Sequence, residues 1–405
     1  MVKNNNSEYK SMIFFWPLSI FEDVQLKKDP GAIPIGFTKL GYKVTLIVGK
    51  MESTKIPSSI KVIELDQNNL FLYELAKRFN NPKYVIKHKI FKYLISSIKE
   101  SINAAKAFIK VDPSIILIEH ARLPSIISVA IYKFLIVLKT KKFNEKRFLI
   151  KLDVDPDDIK KRFKSKGIAK FSFHFLNFIY FLIFDKVIVE TPCAYDELIK
   201  LNFSQKLLKK MVVIPNGYVD KNISMIKTDR KKIILSVGRI SLQKGFDILI
   251  KSFQKVHLIH NDWQLRIVGP IVDQEYYDYL KDIIKNYNLE KSVIFVGEKM
   301  GEDLENEYNY ASIFCLLSRN ESFGIVRSEA IAHGLPMITS EAGCGIVYEK
   351  YGSIIVPIEN TLKPAEAMKK LIENPKLREE IAKKQMNAII TYDEVAKRID
   401  DLPKF

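Results

Sequence analysis

Cysteine is scarce in this chain. Cys193, Cys315 and Cys344 are the 3 among 405 residues, and they stand far apart. They build neither a closely spaced disulfide framework nor a CxxC metal site, and so point to a reducing compartment. Long apolar runs are missing as well. The longest uncharged one, FSFHFLNFIYFLIF at 171–184, has 14 residues, short of the roughly 20 that cross a bilayer. The start, MVKNNNSEYKSMIFFWPLSIF, has a short apolar stretch broken by Pro17 and no small-residue cleavage site. It does not read as a secretory signal. No internal repeat is visible, and the only low-complexity tract is the polar KNNNSEY.

What is there describes a globular protein. Apolar residues make up 47% and charged residues 27% of the chain, outside the range of disordered sequences. A length of 405 residues exceeds one ordinary core, so two domains are expected. The net charge of +17 is lopsided. Residues 1–225 hold 38 Lys+Arg against 21 Asp+Glu, while 226–405 hold 26 of each. A basic half can face a membrane surface, a nucleic acid or an acidic substrate.

Short β-branched runs alternate with longer amphipathic segments. KVTLIV (43–48), SIILIE (114–119), RFLIKLD (147–153), DKVIVE (185–190) and MVVIP (211–215) read as buried strands. The series restarts after the polar TDRKK (228–232) with IILSVGR, then WQLRIVG, SVIFVG, IFCLLS and PMITS. Repeated βαβ units predict parallel sheets covered on both faces. The expected fold is α/β, with two doubly wound, Rossmann-like domains facing a central cleft. Their boundaries are set at 1–225 and 226–385, and a closing helix at 386–405 is expected to return toward the first domain. Ligands of such sheets bind at the carboxyl ends of the strands.

Two segments of the second half carry chemistry. IILSVGR is followed by ISLQKGFDILIKSF, which puts Arg239 and Lys244 on a strand-to-helix loop with Gly238 and Gly245. Two cations beside a helix start form an anion site that suits a diphosphate; a plain loop with solvated charges is the other reading. ESFGIVRSEAIAHGLPMITS follows the strand IFCLLS. Ser322 is expected to cap a helix from about Ile325, leaving the N–H groups of Phe323, Gly324 and Ile325 free at its start. Glu321 then stands on the loop and Glu329 about one turn into the helix. One carboxylate on each side of an anion-friendly helix end suits a ligand with phosphates in the middle and a sugar at either end. A solvated helix bearing acids is the plainer alternative.

The stretches VIPNGYVD, SVGRISLQKGFDILIKSF, WQLRIVG, VIFVG and YASIFCLLSRNESFGIVRSEAIAHGLPMITSEAGCG together resemble the signatures of the retaining family-4 glycosyltransferases. The resemblance runs almost unbroken over about 212–358. It implies a GT-B fold and transfer of a sugar from a nucleotide-diphosphate donor. It further implies that Arg239 and Lys244 neutralise the donor diphosphate. Glu321 would hold donor-sugar hydroxyls and Glu329 the ribose. The amides of Phe323, Gly324 and Ile325 would meet sugar and phosphate, and Val296 and Gly297 would lie near the base. No metal or other cofactor is implied.

The first half matches less closely. The family's glycine-rich loop after the first strand is reduced to Gly31 in DPGAIP. Gly31 is assigned to that loop, and a helix start after Pro30 remains the alternative. His120, at the end of SIILIEH, resembles the family histidine that touches the donor sugar, against a structural strand-end role. Asp153 and Asp155 in KLDVDPDD look like a DxD metal motif. They read better as a turn and helix cap, or as an acceptor contact. Lys160, Lys161, Arg162, Lys164 and Lys166 form a basic run that suits an anionic membrane or phosphate surface; KYVIKHKIFKY (83–93) is a second. Residues 171–184 are either a core helix or membrane-facing.

The resemblance implies a metal-independent retaining hexosyltransferase. It would use a UDP- or GDP-sugar and a lipid-linked or surface-glycan acceptor. It would be cytoplasmic and peripheral on the inner face of the cell membrane. Two other readings stay in view: a sugar-nucleotide epimerase of the same fold, and a non-catalytic membrane or nucleic-acid binder. No nucleic-acid module is recognisable, and the sequence leaves the sugar, base, linkage and oligomeric state open.

Overall fold

A computed structural model of the protein describes residues 10–65, 88–120, 123–139, 145–164, 175, 178–200, 204–219 and 230–403. The chain forms two compact units. The first comprises Met1–Val154, Asp158–Val219 and Tyr392–Phe405, and the second Asp155–Asp157 and Asp220–Thr391. The division thus falls a few residues before 225, and the segment grouped with the first unit starts at Tyr392 rather than 386.

The first unit holds the strands β1 (Ser11–Phe21), β2 (Lys43–Met51), β3 (Ile60–Glu64), β4 (Ile115–Glu119), β5 (Arg147–Leu152), β6 (Lys186–Val189) and β7 (Met211–Val213). They lie in the order β3-β2-β1-β4-β5-β6-β7, every pair parallel. All positions of β4, β5 and β6 are buried, as strands covered on both faces require. The order reverses between β1 and β4, the switch point at which such sheets open to ligands. Helices α1 (Asp29–Lys39), α2 (His88–Val111), α3 (Leu123–Lys139), α4 (Pro156–Lys164) and α5 (Pro192–Ile199) connect the strands. Edge-to-face rings knit α2 and α3 to the sheet: Phe15–Phe108 at 5.5 Å, Phe108–Tyr132 at 5.7 Å and Tyr132–Phe148 at 6.2 Å.

The second unit repeats the plan. Its strands are β8 (Ile233–Val237), β9 (Gln264–Val268), β10 (Val293–Gly297), β11 (Ile313–Leu316), β12 (Met337–Ser340) and β13 (Ile354–Val356). Their order, β10-β9-β8-β11-β12-β13, reverses between β8 and β11. The helices are α6 (Phe246–His257), α7 (Gln274–Asn286), α8 (Gly301–Tyr310), α9 (Ile325–Ala332), α10 (Leu362–Glu373) and α11 (Pro375–Gln385).

The last helix, α12 (Tyr392–Asp400), belongs to the first unit. It buries Val395, Ala396 and Ile399, and the Arg147 guanidinium fixes its end. Arg147 Nη2 lies 2.6 Å from Asp400 Oδ1, and Tyr42 Oη donates to the same oxygen at 2.5 Å.

Of residues 171–184, only 175 and 178–184 are described. Tyr180, Phe181 and Phe184 are buried in the core, whereas Phe175, Phe178 and Leu182 are exposed. The described part of the run is therefore neither all core nor all surface.

Candidate active site

The loop after β8 carries Gly238 and Arg239, then a single 3-10 turn at Leu242–Lys244. Gly245 follows in the left-handed region at φ 66. A Cβ there would stand 2.1 Å from the Leu317 carbonyl oxygen, so only glycine lets this loop pack against the segment after β11. That approach brings Lys244 to Glu321. Lys244 Nζ lies 2.5 Å from Glu321 Oε1, and Ser318 Oγ donates to the same oxygen at 2.8 Å. Glu321 is only 6% exposed. Arg239 is exposed and has no side-chain partner among the described residues.

Arg319 locks the two loops together. Its guanidinium makes paired bonds to Asp247 at 2.8 and 2.9 Å and a third to the Leu242 carbonyl at 2.7 Å. Its backbone N–H donates to Gln243 O at 2.8 Å. Burial pushes the Asp247 carboxyl up, but hydrogen bonds from Arg319 and Tyr276 outweigh it and hold it below its ordinary value. Sequence reasoning passed over both Arg319 and Asp247. Their signal was an acid two residues after Gly245 and a base two residues before Glu321.

Helix α9 opens differently from expectation. Its N-cap is Gly324 at φ 75, with no side-chain cap bond. Ser322 does not cap it, because the chain enters the helix through a left-handed glycine rather than an extended residue. The first bond of the helix runs from Arg327 N–H to Gly324 O at 2.8 Å. The N–H groups of Phe323, Gly324 and Ile325 precede it, where a helix has no internal acceptors to offer. Glu329, on the next turn, is half-buried and accepts from Tyr308 Oη at 2.7 Å. Tyr308 in turn stacks on His333 at 4.9 Å. Val296 is half-buried near the end of the edge strand β10, and Gly297 closes that strand, exposed, at φ 81.

The second unit thus brings together Lys244 and Glu321 and sets the α9 start three residues further along. Gly31 and His120 belong to the first unit. Gly31 is not in a loop. It lies in the first turn of α1, after Pro30, where a Cβ would stand 2.6 Å from Leu26 Cα. The proline at the helix start set this geometry. His120 follows β4 directly at φ 65, a strained conformation for a residue with a side chain. Its N–H donates to Lys151 O at 3.1 Å, and Nε2 lies 3.7 Å from Glu119 Oε1.

Beside His120 is a buried charge cluster that the sequence did not announce. Lys151, 1% exposed, donates to Asp29, to Glu190 Oε1 at 2.9 Å and to Asn216. Burial, then the charge of Asp29, raises the Glu119 carboxyl well above its ordinary value. Burial likewise pushes Glu190 up to about 8, against the pull of Lys151. Burial alone would lower the Lys151 pKa, but the charges of Asp29 and Glu190 outweigh it and raise it. One lysine cannot neutralise three carboxylates, so part of the cluster holds protons.

Of the DxD-like acids, Asp155 accepts at the helix start and Asp153 does not. Asp157 N–H donates to Asp155 Oδ1 at 2.8 Å at the start of α4, and Asp153 is exposed. Among the described residues no three His, Cys, Asp or Glu side chains stand close enough to hold a metal. Lys160, Lys161, Arg162 and Lys164 are exposed on α4, and Arg162 pairs with Asp158 at 2.7 Å. Lys166 lies outside the described residues.

Residues 220–387 match the model of the family described as glycosyl transferases group 1. The chain is 31% identical over 204 residues to a glycosyltransferase of Haemophilus influenzae, 47% of this chain and 55% of that protein. It is 31% identical over 175 residues to mannosylfructose-phosphate synthase of Agrobacterium fabrum, 39% of this chain and 38% of that one. The chain therefore spans about half or less of the length of these relatives. Among solved structures, Anabaena Alr3699/HepE in complex with UDP aligns over 97% of this chain and 98% of its own, with a TM-score of 0.68 and 14% identity. WaaG, a glycosyltransferase involved in lipopolysaccharide biosynthesis, covers 96% and 98%, with a TM-score of 0.64 and 12% identity. The motif order, the repeated parallel sheets and these likenesses converge: residues 220–387 match the glycosyl transferases group 1, and the chain has the GT-B fold.

Proposed function

We propose that the protein moves a sugar from a nucleotide-diphosphate sugar to an acceptor hydroxyl with retention of configuration. The observation that carries this reading is the Lys244–Glu321 pair, three residues ahead of the bare N-terminus of α9. Arg239, Lys244 and the N–H groups of Phe323, Gly324 and Ile325 would stabilise the charge that develops on the departing diphosphate. Glu321 would accept from donor-sugar hydroxyls, Glu329 from the ribose, and His120 would touch the donor sugar. The base would lie beside Val296 and Gly297. No metal is needed in this reading, because fixed cations and amides meet the diphosphate. The departing phosphate would help deprotonate the acceptor on the same face of the sugar. The UDP and UDP-glucose complexes of HepE support a uridine donor.

The acceptor in this reading is a lipid-linked or surface glycan, reached at the inner face of the cell membrane. Two features of the first unit favour an anionic surface. Lys160, Lys161 and Lys164 are exposed on α4, and Phe134, Val137 and Leu138 are exposed on α3. Among the described residues no helix is long and apolar enough to cross a membrane.

The test is release of nucleoside diphosphate from UDP- and GDP-sugars, with and without a polyisoprenoid-diphosphate glycan. Acceptor-dependent release is expected. Acceptor-independent release would move the reading to the epimerase, and absence of both turnover and nucleotide binding to a non-catalytic binder. Binding to anionic vesicles should weaken in about 0.5 M salt; vesicle binding that ignores salt would remove the membrane assignment.

A further inference from the structure

Among the described residues no fully buried side chain is larger than Arg327, which is 0% exposed. It stands on the first turn of α9, on the face that also buries Ala330 and Ile331. An apolar residue would satisfy that face. The guanidinium instead reaches five neutral oxygens. Nε donates to Thr339 Oγ1 at 3.0 Å. Nη1 donates to Phe323 O and Gly343 O, each at 3.2 Å. Nη2 donates to Ala342 O at 2.7 Å and Ser340 O at 3.5 Å. All of its hydrogen-bonding capacity is met, but no carboxylate pairs with it among the described residues. Glu321, whose charge is felt at Arg327, is bonded to Lys244 and Ser318 instead. Arginine stays charged under such burial, and a buried charge without a counter-ion is costly to keep.

The position of that charge suggests its use. A Cβ on Gly324 would stand 3.4 Å from Arg327 Nη1. The cation therefore sits directly behind the left-handed glycine that opens α9. It adds a full charge to the partial positive charge of the helix start. The same fork ties the Phe323 carbonyl to the Ala342–Gly343 turn.

We propose that Arg327 is a buried electrostatic element of the diphosphate site, attracting the nucleotide's phosphates through the α9 start without touching them. The proposal rests on the donor-site reading above. It separates Arg327 from a mere staple, because a staple needs the fork and an electrostatic element needs the charge.

Two variants divide these properties. Arg327→Lys keeps the charge and loses the fork. Arg327→Gln loses the charge and keeps two N–H donors. UDP and uridine are titrated into each by calorimetry, with uridine followed by NMR. R327Q should weaken UDP by about tenfold or more and leave uridine unchanged, whereas R327K should stay within about threefold of the parent for UDP. Equal UDP affinity in R327Q and the parent, or parallel loss of UDP and uridine in both variants, overturns the proposal. If neither variant folds, the parent's Arg327 Nε–H resonance decides. A shift with UDP and not with uridine upholds the proposal, and no shift with UDP overturns it. A parent protein that binds neither UDP nor GDP fails differently: it removes the donor-site reading, and the role of Arg327 falls with it.

Discussion

Lys244 and Glu321 are 77 positions apart in the chain, yet Nζ and Oε1 lie 2.5 Å apart. Their side chains are 13% and 7% exposed, so the pair is almost entirely removed from water. Each partner offsets the other's desolvation, and neither is comfortable alone. An incoming diphosphate would share Lys244 and leave Glu321 able to accept from sugar hydroxyls.

Lys244→Ala and Glu321→Ala should therefore each lower turnover by about 10²–10³-fold. Circular dichroism should show that both retain the fold. Steady-state kinetics of diphosphate release checks this, and parental turnover in either variant would mean that the chemistry happens elsewhere.

Gly343 tests the site from behind. Its φ is 56, and a Cβ there would stand 2.4 Å from the Glu321 Cβ. Gly343→Ala should cost about 1–2 kcal/mol for the left-handed backbone alone. It should also push the Glu321 loop outward, so that turnover falls at least as far as in a Glu321 variant. A melting curve and a rate measured on the same preparation distinguish the two effects. Loss of stability with unaltered turnover would contradict the packing.

The buried acids of the first unit predict a pH dependence of stability. Folded Glu119 and Glu190 hold protons that the unfolded chain gives up above the ordinary value of 4.5. The folded state thus binds more protons, and stability should decline as pH rises from about 4.5 to about 8. For Glu190, raised to about 8, the slope should be on the order of 1 kcal/mol per pH unit. Glu190→Gln removes this contribution and should flatten the decline. Urea unfolding at about pH 5.5 and about pH 8.5 measures it; an equally steep decline in the variant would exclude Glu190 as its source.

The closing helix should matter for stability out of proportion to its length. Ile399 is fully buried, and Ile399→Ala should cost about 2–5 kcal/mol. Asp400, bonded to Arg147 and Tyr42, supports the same contact. Urea denaturation of the variant should show a lowered midpoint with little change in slope, and an unchanged midpoint would argue against the packing of α12.

Much of the fold was legible one segment at a time. SIILIE, RFLIKLD and DKVIVE are continuous apolar runs because their strands are covered on both faces, and that pattern survives in one dimension. The helix after ESFG was legible for a similar reason. Its opening was not, since Ser322 and Gly324 are both good N-caps and only the path of the incoming chain chose the glycine. Gly31 was misplaced because one glycine suits a loop or a helix packed closely on its neighbour, and only the contact with Leu26 separates the two. Lys166 falls outside the described residues.

The sequence alone determined that this chain folds as two parallel α/β sheets. It also placed Arg239, Lys244 and Glu321 on strand-to-helix loops and Glu329 just inside the helix that follows, as candidate ligand contacts, because periodicity and strand-to-helix loops are local properties. Only the tertiary structure decided which charges are paired and which are left over. It joined Lys244 to Glu321, surrounded Lys151 with carboxylates, and buried Arg327 against neutral oxygens. Those outcomes depend on desolvation and on neighbours dozens of residues away, and neither quantity is written in any short stretch of chain.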